Sequence, residues 1–311
     1  MLAVVFPGQG AQEVGMAMEF VRSSAEAREV LDEVDQATKL PLSRWIAEGP
    51  ADVLQRTEIA QPAILAASLA VYRVLEPRLS GRVAYVAGHS LGEYSALVAA
   101  GSLALGEAAC LVRRRGALMQ EAVPEGAGGM TAVLGLRAEE VVRICAEIEG
   151  EVCAANFNSP VQTVVAGERE ALAAAGVALE AAGASKLVPL SVSAPFHSPL
   201  MIPAQEKLSP ALADATFWDA RLPVISNVTA QPYTSANDAR ALLREQVCAP
   251  VRWVDCVRTL VAAGVRVQLE VGPGRVLSRL ARKIEPGLVC ASVEKPADIE
   301  GALARVEEAL V

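Results

Sequence analysis

Residues 83–94 read Val-Ala-Tyr-Val-Ala-Gly-His-Ser-Leu-Gly-Glu-Tyr, and this stretch decides the fold. Residues 83–87 form a short apolar run with no polar face, which suits a strand buried on both sides in a parallel sheet. Gly88-His89-Ser90-Leu91-Gly92 then matches G-x-S-x-G, and helical spacing follows over 92–100. Strand, tight turn and helix in that order make a nucleophile elbow. Small residues permit a strained turn that lifts the serine hydroxyl clear of the backbone, beside the free N–H of the next residue. The same letters also suit an ordinary tight turn, so Ser90 needs a partner before it becomes a candidate nucleophile.

Outward from the elbow, short apolar runs at 2–6, 222–226, 265–271 and 288–291 read as further strands. Helical spacing lies between them at 23–38, 61–75, 105–122 and 252–263. This alternation predicts an α/β fold with a helix-covered parallel sheet. One segment breaks the rhythm. Strands at 130–134, 152–157, 163–166 and 186–192 surround helices at 138–149 and 168–182, the βαββαβ order of a ferredoxin-like unit. The expected organisation is a large α/β catalytic domain from residues 1–123 and 195–311, with a ferredoxin-like small domain at 124–194.

Composition agrees with a packed protein. The 311 residues correspond to about two domains at roughly 150 residues each. They are 52% hydrophobic and 21% charged, which excludes a largely disordered chain. A net charge of −8 argues against nucleic acid as a partner. Mean hydropathy is +0.33, yet the apolar stretches are broken by Gln61, Pro62, His197 and several prolines. No transmembrane segment is therefore expected. Residues 1–21 carry no Lys or Arg and do not resemble a signal peptide. The six cysteines, 110, 145, 153, 248, 256 and 290, show no C-x-x-C pairing and read as reduced thiols, mostly in the core. A cytoplasmic, reducing setting follows as an expectation.

A serine hydroxyl needs a base. Only His89 and His197 are available. His89 adjoins Ser90, and neighbouring side chains at a strand end point apart, so elimination favours His197 over its alternative reading as a loop histidine. No acidic third member is evident. Arg115 falls on the apolar stripe of the 105–122 helix with Ala108, Leu111, Val112, Leu118, Met119 and Ala122. A buried guanidinium requires an anion. A structural salt bridge, a side chain snorkelling outward and an anionic substrate all remain open. Gly116 beside it permits a close approach by another chain or a ligand. The turn Pro7-Gly8-Gln9-Gly10-Ala11-Gln12 matches no phosphate-loop pattern, but its backbone N–H groups suit an oxyanion. Gly272-Pro273-Gly274 reads as a structural turn, and nothing resembles a metal site.

Together, PGQGAQ at 7–12, GHSLGEYSAL at 88–97, RRGALMQ at 114–120, NFNSP at 156–160, APFHSPLM at 194–201, QVCAPVRW at 246–253 and EVGPG at 270–274 resemble the malonyl-CoA:acyl-carrier-protein transacylase family. The resemblance implies a hydrolase-like large domain carrying the inserted ferredoxin-like one. It implies Ser90 as acylated nucleophile, His197 as its base and Arg115 as the anchor of the malonyl carboxylate. Gln9 and Leu91 would supply oxyanion N–H groups, and the Gln246 carbonyl would orient His197. Gln61 and Asn156 would line the cleft. Malonyl-CoA and an acyl carrier protein are the implied partners, malonyl-CoA as substrate, with no cofactor and no metal, and a monomer is expected. Cys248-Ala249 departs from the family pattern. Phe196 resembles malonyl-selective members more than those that take methylmalonyl units.

Rival readings differ in what they need. A serine esterase would share Ser90 and His197 without requiring Arg115, and a non-catalytic carrier-docking module would not require Ser90. Within the family, fatty-acid synthesis, polyketide synthesis and a malonate-decarboxylating complex are alternatives, with fatty-acid supply preferred.

Overall fold

The computed structural model describes residues 1–192 and 194–310. Among these residues ten strands occur: β1 (Leu2–Phe6), β2 (Val83–Gly88), β3 (Gly128–Leu134), β4 (Val152–Ser159), β5 (Gln162–Glu168), β6 (Lys186–Pro189), β7 (Val224–Ile225), β8 (Pro232–Tyr233), β9 (Val267–Val271) and β10 (Val289–Val293). They form a six-stranded sheet in the order β10-β9-β1-β2-β7-β8 and a four-stranded sheet in the order β4-β5-β3-β6. The fold is α/β. All ladders of the first sheet are parallel except β7–β8, and all of the second are antiparallel.

β1 lies inside the large sheet and shows why its residues are apolar at every position. Leu2, Val4 and Phe6 face one core with the helix Thr57–Leu79, while Ala3 and Val5 face another with Trp253, Val257 and Leu280. Alternate side chains thus enter separate hydrophobic layers, so both parities must be apolar. The four-stranded sheet has a core of its own in which Val133 and Val165 pack on Val141, Ile144, Ala175 and Leu179. Its order is that of a ferredoxin-like sheet, as the βαββαβ pattern predicted.

Several boundaries differ from the sequence reading. The helix expected at 61–75 runs from Thr57 to Leu79, straight through Gln61 and Pro62. It is long and apolar enough to cross a membrane by length and composition, but 83% of that window is buried inside the fold. This is the core helix of the large sheet. The strand expected at 222–226 keeps only Val224–Ile225 paired, because Ser226 N–H turns to the Gln231 carbonyl and starts the hairpin into β8. The strand expected at 186–192 stops at Pro189, apart from Leu190 N–H donating to the Met130 carbonyl. Of the cysteines, Cys145, Cys256 and Cys290 are buried, whereas Cys110 is exposed.

Gly116 is where the helix Leu105–Glu121 meets the helix Thr57–Leu79. A Cβ added there would lie 2.6 Å from the Thr57 carbonyl oxygen. The close approach that this glycine permits is therefore made by backbone. Gly116→Ala should destabilise the protein by about 1–3 kcal/mol, the usual cost of overpacking. Urea unfolding would measure it, and an unchanged midpoint would contradict the packing described.

Candidate active site

β2 ends at Gly88, and the chain reverses through His89, Ser90 and Leu91 into the helix Gly92–Ala99. A Cβ on Gly88 would lie 1.9 Å from the Gly92 carbonyl carbon, and one on Gly92 would lie 2.2 Å from the Phe6 carbonyl oxygen. Only glycine fits either position. Ser90 itself has φ +53°, a left-handed conformation that a non-glycine residue holds only when its surroundings impose it. Here the imposition is visible. His89 N–H donates to the Phe6 carbonyl at 3.1 Å, and Ser90 N–H donates to Asn227 Oδ1 at 2.6 Å. Asn227 Nδ2 in turn donates to the Gly88 carbonyl at 2.7 Å.

The loop after the four-stranded sheet brings His197, also left-handed at φ +59°, to this elbow. Its Nε2 lies 2.7 Å from Ser90 Oγ. Its Nδ1 faces two backbone carbonyls, Gln246 at 2.8 Å and Ala249 at 3.2 Å. Carbonyls only accept, so Nδ1 carries the proton and Nε2 is free to accept one from the serine. The neutral backbone occupies the place where a triad would put an acid. His89 points elsewhere, with Nε2 donating to Asn158 Oδ1 at 2.8 Å.

Arg115 is 1% exposed. Its Nη1 donates to Gln61 Oε1 at 2.9 Å, and its Nη2 donates to Ser90 Oγ and to Gln246 Oε1, each at 3.0 Å. Nε has no hydrogen-bond partner among the described residues, and no carboxylate there reaches ion-pair distance of this guanidinium. The structural salt bridge and the snorkelling side chain are both set aside by this geometry. The nearest compensation is indirect: Gln246 Nε2 donates to Glu93 Oε2 at 2.7 Å, so one amide separates the buried cation from a buried carboxylate.

These charges set the ionisation of the site. Burial and the Arg115 cation together hold the His197 imidazole down at about 3. Burial likewise lowers His89. Glu93 is pushed up by burial to about 7, against the pull of its hydrogen bonds and of Arg115.

The elbow opens into a cleft of about 350 Å³. The turn bearing Gln9, Gly10 and Gln12 bounds one side, while Met130 and Asn156 of the four-stranded sheet and Leu190 just beyond its last strand bound the other. Phe196 and Gln61 also line it. Among the described residues, the backbone N–H groups of Gln9 and Leu91 have no hydrogen-bond partner. A larger cavity of about 480 Å³, lined by Arg275, Arg279, Arg282 and Arg305, holds neither a serine–histidine pair nor any other activated nucleophile. The chemistry therefore belongs to the smaller cleft. No cluster of three His, Cys, Asp or Glu side chains suited to a metal occurs among the described residues.

The candidate site residues named from the sequence thus reach one place: Ser90, His197, Arg115, Gln9, Gln61 and Asn156 line the cleft, with Leu91 and Gln246 directly behind it. Sequence reasoning missed Glu93, Asn227, Asn158 and the side chain of Gln246. Glu93 did leave a trace, as the one charged residue in the otherwise apolar or small run Gly92–Ala99.

A sequence profile described as "Acyl transferase domain" matches residues 3–305. Malonyl CoA-acyl carrier protein transacylase of Salmonella typhimurium is 44% identical over 303 residues, covering 97% of this chain and 98% of the relative. The chain belongs to that family. Solved relatives agree in fold. An acyl carrier protein S-malonyltransferase from Vibrio cholerae superposes with a TM-score of 0.94 at 41% identity, covering 96% of this chain and 99% of the other. A malonyl-transacylase in complex with its type II PKS acyl-carrier protein gives 0.95 at 42% identity, covering 97% and 99%.

The neutral histidines give a pH prediction. Between about 3 and 6.5 the unfolded chain binds a proton on His197 that the folded state refuses, so this group's contribution to stability is lost as pH falls below 6.5. Glu93 acts oppositely, with stability lost as pH rises from 4.5 toward 7. Nitrogen-15 NMR of the imidazoles should find His197 neutral and protonated at Nδ1 throughout pH 5–8. A titration midpoint near 6.5 would contradict the assigned geometry.

Proposed function

We infer that this transacylase moves a malonyl group from malonyl-CoA to the phosphopantetheine thiol of an acyl carrier protein, through a malonyl ester on Ser90. It thereby supplies fatty-acid synthesis, with polyketide synthesis as the alternative destination. The relatives named above are transacylases of malonyl-CoA and acyl carrier protein, and one solved relative is bound to its carrier protein. The observation that carries the reading at this site is Arg115, a buried cation without a carboxylate, 3.0 Å from the hydroxyl of Ser90. A malonyl group supplies the missing anion while presenting its thioester carbonyl to the serine.

In the first half-reaction Ser90 Oγ attacks the thioester carbon as His197 Nε2 takes its proton. The tetrahedral oxyanion accepts hydrogen bonds from the N–H groups of Gln9 and Leu91. The carbon–sulfur bond then breaks, and the departing coenzyme A sulfur takes the proton from His197. In the second half-reaction the carrier thiol gives its proton to His197 and attacks the malonyl ester, and Ser90 Oγ leaves with that proton. Thioester and ester are exchanged directly, so the steps use no metal, cofactor or ATP. General-base catalysis of this kind contributes roughly 10²–10⁴-fold and one oxyanion donor about 10²–10³-fold.

Within this reading, residues 1–123 and 195–311 form the catalytic domain and 124–194 the small domain, with the cleft between them; residues 193 and 311 of these ranges lie outside the described structure. Phe196, in the cleft wall, favours malonyl over the branched methylmalonyl unit. The enzyme acts as a cytoplasmic monomer. A serine esterase has no use for a buried guanidinium against its nucleophile, which sets that rival aside.

Two outcomes are expected. Intact-protein mass spectrometry after mixing with malonyl-CoA should show one malonyl adduct on the wild type and none on Ser90→Ala, and added holo acyl carrier protein should remove it. Discharge to water at the same rate without carrier would identify an esterase instead. In Arg115→Ala the preference for malonyl-CoA over acetyl-CoA, as the ratio of kcat/KM values, should fall by about two to three and a half powers of ten, because an acetyl group no longer strands a buried charge worth roughly 3–5 kcal/mol. An unchanged ratio would remove Arg115 from acyl recognition.

A further inference from the structure

Glu93 is 0% exposed and touches neither Ser90 Oγ nor His197, yet two of its three side-chain partners, Gln246 and Asn227, lead back to the site. Its Oε1 accepts from the Tyr233 hydroxyl at 2.9 Å. Its Oε2 accepts from Gln246 Nε2 at 2.7 Å and from the backbone N–H of Asn227 at 3.1 Å. Two donors on one oxygen and a hydroxyl on the other suit the ionised carboxylate, which only accepts and is the form present above about pH 7.

The consequence lies in the amide of Gln246. A primary amide has one accepting and one donating end, and which end points where depends on its neighbours. Glu93 Oε2 and the Ser90 carbonyl, the latter 3.0 Å from Nε2, both require the donating end. Oε1 is then turned to Arg115 Nη2 at 3.0 Å. Were the amide reversed, two N–H groups would face each other at the buried guanidinium. Through Asn227 the same carboxylate holds the residue whose Oδ1 receives Ser90 N–H and whose Nδ2 ties down Gly88.

We propose that Glu93 is a positioning residue for malonyl selectivity, whose acceptor-only carboxylate fixes the Gln246 amide and so holds the Arg115 guanidinium in register with Ser90. The proposal rests on the reading of Arg115 as the anchor of the malonyl carboxylate.

Its test compares kcat/KM for malonyl-CoA and acetyl-CoA in Glu93→Met, Glu93→Gln and Arg115→Ala. Glu93→Met keeps the volume and removes both accepting oxygens. The malonyl-to-acetyl ratio should fall by about 10- to 100-fold, the worth of a charge-assisted hydrogen bond. Glu93→Gln keeps one accepting oxygen for Gln246 and Asn227, while the Tyr233 hydroxyl turns to accept from its new NH₂. Much of the lost ratio should return. In the Arg115→Ala background, Glu93→Met should lower the ratio no further, since the two act through one chain of contacts.

A wild-type ratio in folded Glu93→Met, alongside a collapsed ratio in Arg115→Ala, would overturn the proposal and leave the malonyl reading intact. A wild-type ratio in Arg115→Ala would instead sink the reading beneath it. Should Glu93→Met fail to fold, Gln246→Met cuts the same link from the other side while keeping the backbone carbonyl that faces His197. The ratio should fall there as well, and an unchanged ratio would again overturn the proposal. A purely structural role for Glu93 would lower both rates together.

Discussion

The site depends on a contact between two stretches of backbone. The α-carbon of Gly92 lies against the carbonyl of Phe6 so closely that any side chain there would overlap it. That carbonyl also accepts the N–H of His89, which pins the start of the turn to the neighbouring strand. With both ends of the turn held, Ser90 has no room for an ordinary extended or helical conformation and is held left-handed. The strain is local, and a buried parallel sheet with helices on both faces bears it. Position of the hydroxyl, availability of the Leu91 N–H and the start of the helix Gly92–Ala99 all follow from that one approach.

Electrostatics then work by deliberate incompleteness. A buried guanidinium ordinarily sits against a carboxylate. Here its partners are two amide oxygens and a hydroxyl, all neutral, and the nearest carboxylate stands behind Gln246. The same cation helps keep His197 unprotonated, which leaves the imidazole free to accept a proton. One side chain thus serves two ends: it keeps an uncompensated positive charge beside the serine and holds the imidazole next to it neutral.

Much of this was legible in the sequence because it is written in constraints that leave few alternatives. Apolar residues of both parities in β1 and β2 announced a parallel sheet, and the paired glycines around Ser90 announced the elbow. Two histidines made the base a matter of elimination, and the stripe of the helix Leu105–Glu121 exposed Arg115 as a charge out of place. What escaped reading was non-local. Asn227 and the Gln246 side chain reach Ser90 across 137 and 156 residues of chain; nothing near Asn227 marks it, and the motif at 246–253 pointed to the Gln246 carbonyl and not to its amide. The helix Thr57–Leu79 extends beyond the expected 61–75 at both ends, with Pro62 and Pro77 both inside it, because its burial in the core outweighs the local cost of each proline. The short pairing of β7 turned on a hairpin bond from Ser226 to Gln231 that no periodicity announces.

The orientation of His197 by carbonyls of Gln246 and Ala249 has a genetic consequence. Every amino acid carries a main-chain carbonyl, so no single codon change can delete these acceptors while the local backbone path persists. On the proposed mechanism, a substitution screen would register His197 and Ser90 as indispensable and pass over the group that aims the imidazole. The group that aims the imidazole is thus encoded by the course of the chain and not by the identity of any one side chain.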